Sequence, residues 1–138
     1  MQLTRHTDYA LRLLLHLAQH GQTEGAGLVS IAEVAAAQDI SRTHLMKIAN
    51  QLARAGFIRA ARGRTGGLEL GMPPEAINLG AVVALTEPRC NLVDCQGCKL
   101  LRRCGLPGIF DEAMAAFRGV LARYSLADFM NGRVATAA

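Results

Sequence analysis

Four cysteines, Cys90, Cys95, Cys98 and Cys104, fall within fifteen consecutive residues, and the rest of the 138-residue chain has none. Thiolates are soft ligands that suit iron–sulphur clusters or zinc. A pair spaced as Cys95 and Cys98 lets one short turn aim two sulphurs at one object. The cysteines alone leave iron and zinc open, because structural zinc also takes four thiolates, although it favours paired knuckles and only one C-x2-C pair is present. Residues Met1 to Asp8 lack the apolar region of a signal peptide, and no stretch approaches the roughly 18 apolar residues needed to span a bilayer. The expected place is therefore the cytoplasm, away from membranes. Thiols stay reduced there, and a cysteine cluster is expected to bind metal rather than to form disulfides.

A second group of residues could do chemistry of another kind. The net charge is only +4. Between Ser41 and Arg64, however, the chain carries Arg42, Lys47, Arg54, Arg59, Arg62 and Arg64 with no Asp or Glu. Cations gathered without acids form an electrostatic footprint for a polyanion. No Ser/His/acid set or second cofactor motif accompanies them, so an enzyme is not expected.

The elements around these residues explain how they could be positioned. Ser30 with Glu33 forms a capping box opening a short helix through Ile31, Val34 and Ala35. After Ala37 to Ile40, Ser41 caps a second helix. That helix buries Leu45, Ile48 and Leu52 at helical spacing and stops at Gly56. Two short helices joined by a tight turn make a helix-turn-helix. Ser41, Arg42, Thr43, Lys47 and Asn50 lie off the buried stripe, and His44 sits near the end that would enter a major groove. Phe57–Ala61 and Leu68–Leu70 read as strands around Arg62-Gly63-Arg64-Thr65-Gly66-Gly67, whose glycines permit a tight hairpin. Arg62 and Arg64 would then reach phosphates or the minor groove. The loop lacks the G-x4-G-K-S/T pattern of a nucleotide cradle.

Outside this head, a first helix is expected over Thr4–Gln19, with Tyr9, Leu13, Leu14 and Leu17 facing inward. Asp8 and Arg12, four apart, make a surface ion pair in the simplest reading. Gly21–Gly27 reads as a loop, Met72-Pro73-Pro74 as a break, and Leu79–Leu85 as a short helix. With only two Tyr, four Phe and no Trp, the core must be largely aliphatic. Pro107 suits a first helical turn, and Phe110, Met114, Phe117, Leu121 and Tyr124 follow in a heptad-like seam. Such a seam could pack on its own domain, or could join two chains so that two reading heads meet half-sites about 34 Å apart. The expected fold class is mainly α with a small β-hairpin wing: a winged helix-turn-helix and a long C-terminal dimerisation helix. Residues 1–75 form the DNA-binding region, 76–105 a short helix and cluster-binding loop, 106–130 the dimerisation helix and 131–138 a flexible tail.

Several stretches together resemble a known family. Met1–Thr4, Thr7–Arg12, Ser41–Lys47, Arg62–Leu68 and the stretch from Glu87-Pro88 to Val93-Asp94-Cys95 look like those of the NsrR-type nitric-oxide-sensing repressors, which belong to the Rrf-type iron–sulphur winged-helix regulators. The resemblance runs from Met1 to about Asp128. It implies a cytoplasmic homodimer that binds double-stranded operator DNA while it holds an iron–sulphur cluster and releases it when nitric oxide attacks the cluster. Genes for nitric oxide detoxification are the usual targets. The resemblance also implies the ligands: Cys95, Cys98 and Cys104, with Asp8 from the partner subunit as the fourth to a [4Fe–4S] cluster, and Arg12 as a residue that orients Asp8. A [2Fe–2S] cluster fits the same donors.

Two departures from the family pattern stand out. The Cys95–Cys98 spacer is shorter than usual, and Cys90 has no counterpart in the usual ligand set. Cys90 reads as a spare thiol, the alternative being that it replaces Asp8. Two other functions fit the same residues: a sibling regulator sensing redox state or iron–sulphur supply, and a zinc-stabilised DNA-binding protein.

Overall fold

The computed structural model describes residues 2–87, 92–99 and 104–132. Cys90 and most of the expected tail, 133–138, lie outside the described residues. Helix α1 (Arg5–Gly21) starts where the Thr4 hydroxyl accepts the Thr7 N–H. It buries Thr7, Ala10, Leu13, Leu14, Leu17 and Ala18, the three- and four-residue spacing of one helix face. Tyr9, expected in this stripe, is only half-buried and lies edge-on to the His44 ring, with centroids 5.1 Å apart. It packs against the edge of the core from there, so the inward-facing expectation holds while one side of the ring meets the neighbouring helix.

Helices α2 (Ile31–Gln38) and α3 (Arg42–Arg54) form the helix-turn-helix. Both halves of the Ser30/Glu33 capping box are made, and two Ser30 hydrogen bonds hold the Glu33 carboxyl below its ordinary range. Asp39 closes α2 in the left-handed region (φ 53°), which turns the chain sharply enough for Ile40 to enter the core. Ser41 caps α3 by accepting the His44 N–H, while Leu45, Ile48, Ala49 and Leu52 are buried against α1 and α2. Burying each large aliphatic side chain of this kind contributes about 1.5–3 kcal/mol.

The wing is an antiparallel pair, β1 (Ile58–Ala61) and β2 (Gly67–Leu70), with Ile58 opposite Leu70 and Ala61 opposite Gly67. Val29 and Leu68 exchange backbone hydrogen bonds, tying the wing to the segment before α2. A 3-10 turn (Pro74–Ala76) leads to α4 (Leu79–Thr86), then α5 (Leu106–Leu121) and α6 (Leu126–Met130).

The helix expected over 106–130 is thus divided, and Tyr124 lies in the break rather than on a seam. Long-range hydrogen bonds explain it. Asn78 Nδ2 donates to the Ala122 carbonyl, the Leu79 N–H to Tyr124 and the Leu126 N–H to Ile77. Ser125 and Asp128 then open α6 with a second capping box.

Candidate nucleic-acid interface and thiol site

The residues expected to read DNA are gathered on one side of α3 and at the wing tip. Arg42, Thr43, Lys47 and Asn50 are exposed, as are Arg62 and Arg64. None of the four cations among them is ion-paired to a described residue. Arg59 differs: it faces Glu69 across the wing at 2.9 Å, so the basic run is partly neutralised by an acid outside it. Ser41 spends its hydroxyl on the helix cap. His44 is half-buried, with its ring 5.7 Å from that of His6 as well as against Tyr9. Its position is therefore set by α1.

Gly66 and Gly67 have a steric role in the wing. A Cβ on Gly66 would collide with the Ala61 carbonyl oxygen, and one on Gly67 would sit 2.7 Å from that of Val29. Gly66 thus lets the hairpin tip close on its own backbone, and Gly67 lets the wing lie against the segment before α2. Met46 was missed by sequence reasoning. It is 51% exposed on α3, between Thr43 and Asn50, where a Met in a helix would ordinarily be counted as core.

A cleft of about 500 Å³ opens beside Lys47, Asn50 and Arg54 and reaches Gln51 and Leu85. Gln51 Oε1 lies 2.6 Å from His6 Nε2, and its Nε2 donates to the Leu85 carbonyl at 2.9 Å. Close by, Glu87 caps the end of α4 and is almost fully buried. One of its oxygens accepts from the Thr4 N–H, the Thr4 hydroxyl and the Thr7 hydroxyl, the last at 2.6 Å. Burial pushes the Glu87 carboxyl up, but the hydrogen bonds from Thr7 and Thr4, with His6 adding attraction, outweigh it and hold the group below its ordinary 4.5. The start of α1 is thereby fixed to the end of α4. No local signal in the sequence marks this network, because its partners are eighty or more residues apart.

Cys95, Cys98 and Cys104 are free thiols on an exposed segment. The Cys98 N–H donates to the Cys95 carbonyl, and Asp94 Oδ1 accepts from the Gln96 N–H, so the short spacer is a hydrogen-bonded turn. A cleft of about 530 Å³ lies between Val93–Gln96 and Pro107, Phe110 and Asp111. On α1, Asp8 Oδ2 accepts from Arg12 Nε at 3.0 Å, with both side chains about half exposed. The donor chemistry fits an iron–sulphur cluster: three thiols within ten residues and an accessible carboxylate. Among the described residues no three His, Cys, Asp or Glu side chains of the single chain converge on one point.

A helix-turn-helix with a two-stranded wing and a cationic face defines a winged-helix transcriptional regulator. Residues 3–132 match the Rrf2 family model, described as an iron-dependent transcriptional regulator, and the chain belongs to that family. It is 41% identical over 135 residues to the HTH-type transcriptional regulator NsrR of Bacillus licheniformis, covering 94% of this chain and 92% of the relative. With NsrR of Bacillus subtilis strain 168 the identity is 40% over 138 residues, covering 96% and 92%. The crystal structure of oxidised Staphylococcus aureus CymR is similar throughout, with a TM-score of 0.72, 27% identity and coverage of 91% of this chain and 93% of that one. Both curated relatives are named as transcriptional regulators, a non-enzymatic role. No helix of the described residues is long and apolar enough to cross a membrane.

Proposed function

We propose that the chain forms a homodimeric repressor that holds an iron–sulphur cluster, binds operator DNA in the clustered form and releases it on exposure to nitric oxide. The observation that carries this reading is the three-thiol segment lying between a cationic winged helix and α5, in a chain about 40% identical to NsrR regulators. Cys95, Cys98 and Cys104 hold the cluster, which is [4Fe–4S], and Asp8 of the partner subunit supplies the fourth ligand. When bound, the cluster supplies iron that reacts with nitric oxide. A carboxylate is a harder donor than thiolate, so the iron that Asp8 holds is the more exchangeable one. Arg12 holds the Asp8 carboxylate in place through Oδ2, so Oδ1 is the oxygen left for iron. Cys90 is a spare thiol.

The second subunit is argued from α5. Its Phe110, Met114, Phe117, Leu121 stripe is the less exposed one, and α5 packs against α4. The adjoining stripe, Leu106, Ile109, Ala113, Ala116 and Val120, lies about a quarter-turn round the helix; it is exposed and recurs at three and four residues, with Ile109 64% exposed. An open apolar seam at heptad spacing is what a second copy of the helix would cover. The two recognition helices would then meet half-sites about one DNA turn apart. Arg42, Lys47, Arg62 and Arg64 neutralise phosphates; Thr43, His44 and Asn50 approach base edges.

The test is metal content and absorption of protein purified without oxygen. The wild type and Cys90→Ala should carry about four irons per chain with a broad iron–sulphur band. Cys98→Ser should lose both, and Asp8→Ala should hold the cluster less firmly. A colourless protein with one zinc per chain, or a Cys90→Ala variant that loses the cluster while Asp8→Ala keeps it, would contradict the assignment.

A further inference from the structure

We propose that Gln51 is the positioning residue that sets the recognition helix according to the state of the cluster. The proposal rests on the sensor reading above and adds to it the route by which the thiol site reaches the DNA-reading face. Gln51 is on α3, one turn beyond Lys47 and next to Asn50 in sequence, so its neighbours are readout residues while its own side chain points into the protein. It touches two elements. Its Nε2 donates to the carbonyl of Leu85, in the last turn of α4, which leads into the cysteine segment. Its Oε1 meets Nε2 of His6, in the first turn of α1, two residues before Asp8.

The chemistry makes this a one-way fit. A backbone carbonyl can only accept, so the amide nitrogen of Gln51 must face Leu85 and its oxygen must face His6, which then donates from Nε2. The donor and acceptor of one planar amide are rigidly spaced. Both bonds survive only while α1, α3 and α4 keep their mutual register, since a hydrogen bond stretched beyond about 3.5 Å is no longer one. The other two elements are already fastened to each other: Glu87, at the end of α4, accepts three hydrogen bonds from Thr4 and Thr7 at the start of α1. A displacement of either ligand-bearing segment therefore reaches the recognition helix through the Gln51 amide. The His6 ring beside His44 extends the same contact to the DNA-entering end of α3. Because α1 would be held by the partner's cluster and the cysteine segment by its own, each reading head is set by both clusters.

The decisive experiment measures DNA affinity of holo and apo dimer for the wild type, Gln51→Leu and Gln51→Glu, together with iron per chain and thermal unfolding. The probe is a duplex selected from a random pool by the wild-type holo-protein. Leu removes both bonds at similar size and helix propensity. Glu keeps an acceptor for His6 and removes the donor to Leu85. Coupling of this kind ordinarily amounts to about 5–150-fold between two states. Both variants should retain wild-type iron and fold, while the holo-to-apo affinity ratio collapses to within about threefold of unity. A wild-type ratio in either variant overturns the role of Gln51 and leaves the sensor reading intact. Loss of iron or of the fold in both variants also overturns it, because a positioning residue outside the ligand set is dispensable to both. A wild-type protein that holds its cluster yet binds DNA equally with and without it would sink the sensor reading itself.

Discussion

The reading head and the thiol-bearing half of this chain are built on different terms. In the head, α1, α2, α3 and the wing close on one aliphatic core. Leu13, Leu14, Leu45, Ile48 and Leu52 are fully buried there, and the helix starts of α1, α2 and α3 are all capped by side chains. In the other half the three described thiols are exposed, Met114 is the only buried side chain of α5, and an apolar seam faces outward. The head closes its core within one chain, whereas the proposed cluster and second chain would both engage the other half. The lesson is that the folding of the head and the proposed sensing are separable. They meet where Glu87 and Gln51 fasten α1, α3 and α4 together.

That contrast can be broken or sharpened by experiment. The largest expected effect is electrostatic and belongs to the head. If a holo dimer neutralises about 6–10 phosphates, its DNA affinity should fall about 10³–10⁵-fold between roughly 50 and 200 mM salt. A flat response in a fluorescence titration would show that the cationic face is only a solvated surface. Replacing Arg64 by Ala removes one phosphate contact from each subunit, so it should lower the dimer's salt slope by about two and weaken binding to all sequences alike.

Next come paired substitutions that separate fold from assembly. Leu45→Ala should cost about 2–5 kcal/mol of stability in denaturant unfolding, because it opens a cavity at a fully buried site. Ile109→Glu should leave the monomer's stability within about 0.5 kcal/mol, since the side chain is exposed, while shifting sedimentation from dimer to monomer. Equal effects of the two on monomer folding would erase the distinction between head and seam.

A smaller effect concerns the junction. Glu87 has a folded pKa below its ordinary 4.5, so its contribution is present above that value and lost as pH falls through the folded pKa. Glu87→Gln should therefore destabilise the apo protein by about 1–3 kcal/mol at pH 7 and flatten the decline below pH 4.5. A variant with wild-type acid sensitivity would show that this carboxylate is not part of the decline.

Much of the head was legible because its signals are local. Ser30 with Glu33, Ser41, and the Leu45/Ile48/Leu52 spacing each act within one or two helical turns, and the structure realises all of them. Tyr9 packs against the core as its spacing suggests, but its contact with the His44 ring depends on how α1 and α3 cross and has no local signal. The break at 122–125 was illegible for a different reason: the Asn78 amide and the backbone of Ile77 and Leu79 compete for groups more than forty residues away. Glu87 and Gln51 were missed on the same ground. At the seam, Phe110 to Leu121 carried the stronger hydrophobic pattern, and only the fold reveals that the weaker stripe through Ala113 and Ala116 is the one left open. The ligand set proposed here comes from the family resemblance, since spacing alone leaves iron and zinc open.

The most direct test of the central claim follows DNA binding and cluster absorption together as nitric oxide is added in steps to the holo dimer without oxygen. The account predicts that the iron–sulphur band and DNA affinity fall over the same few equivalents, and that Cys98→Ser shows neither the band nor the response. DNA binding that stays constant while the band bleaches would contradict it.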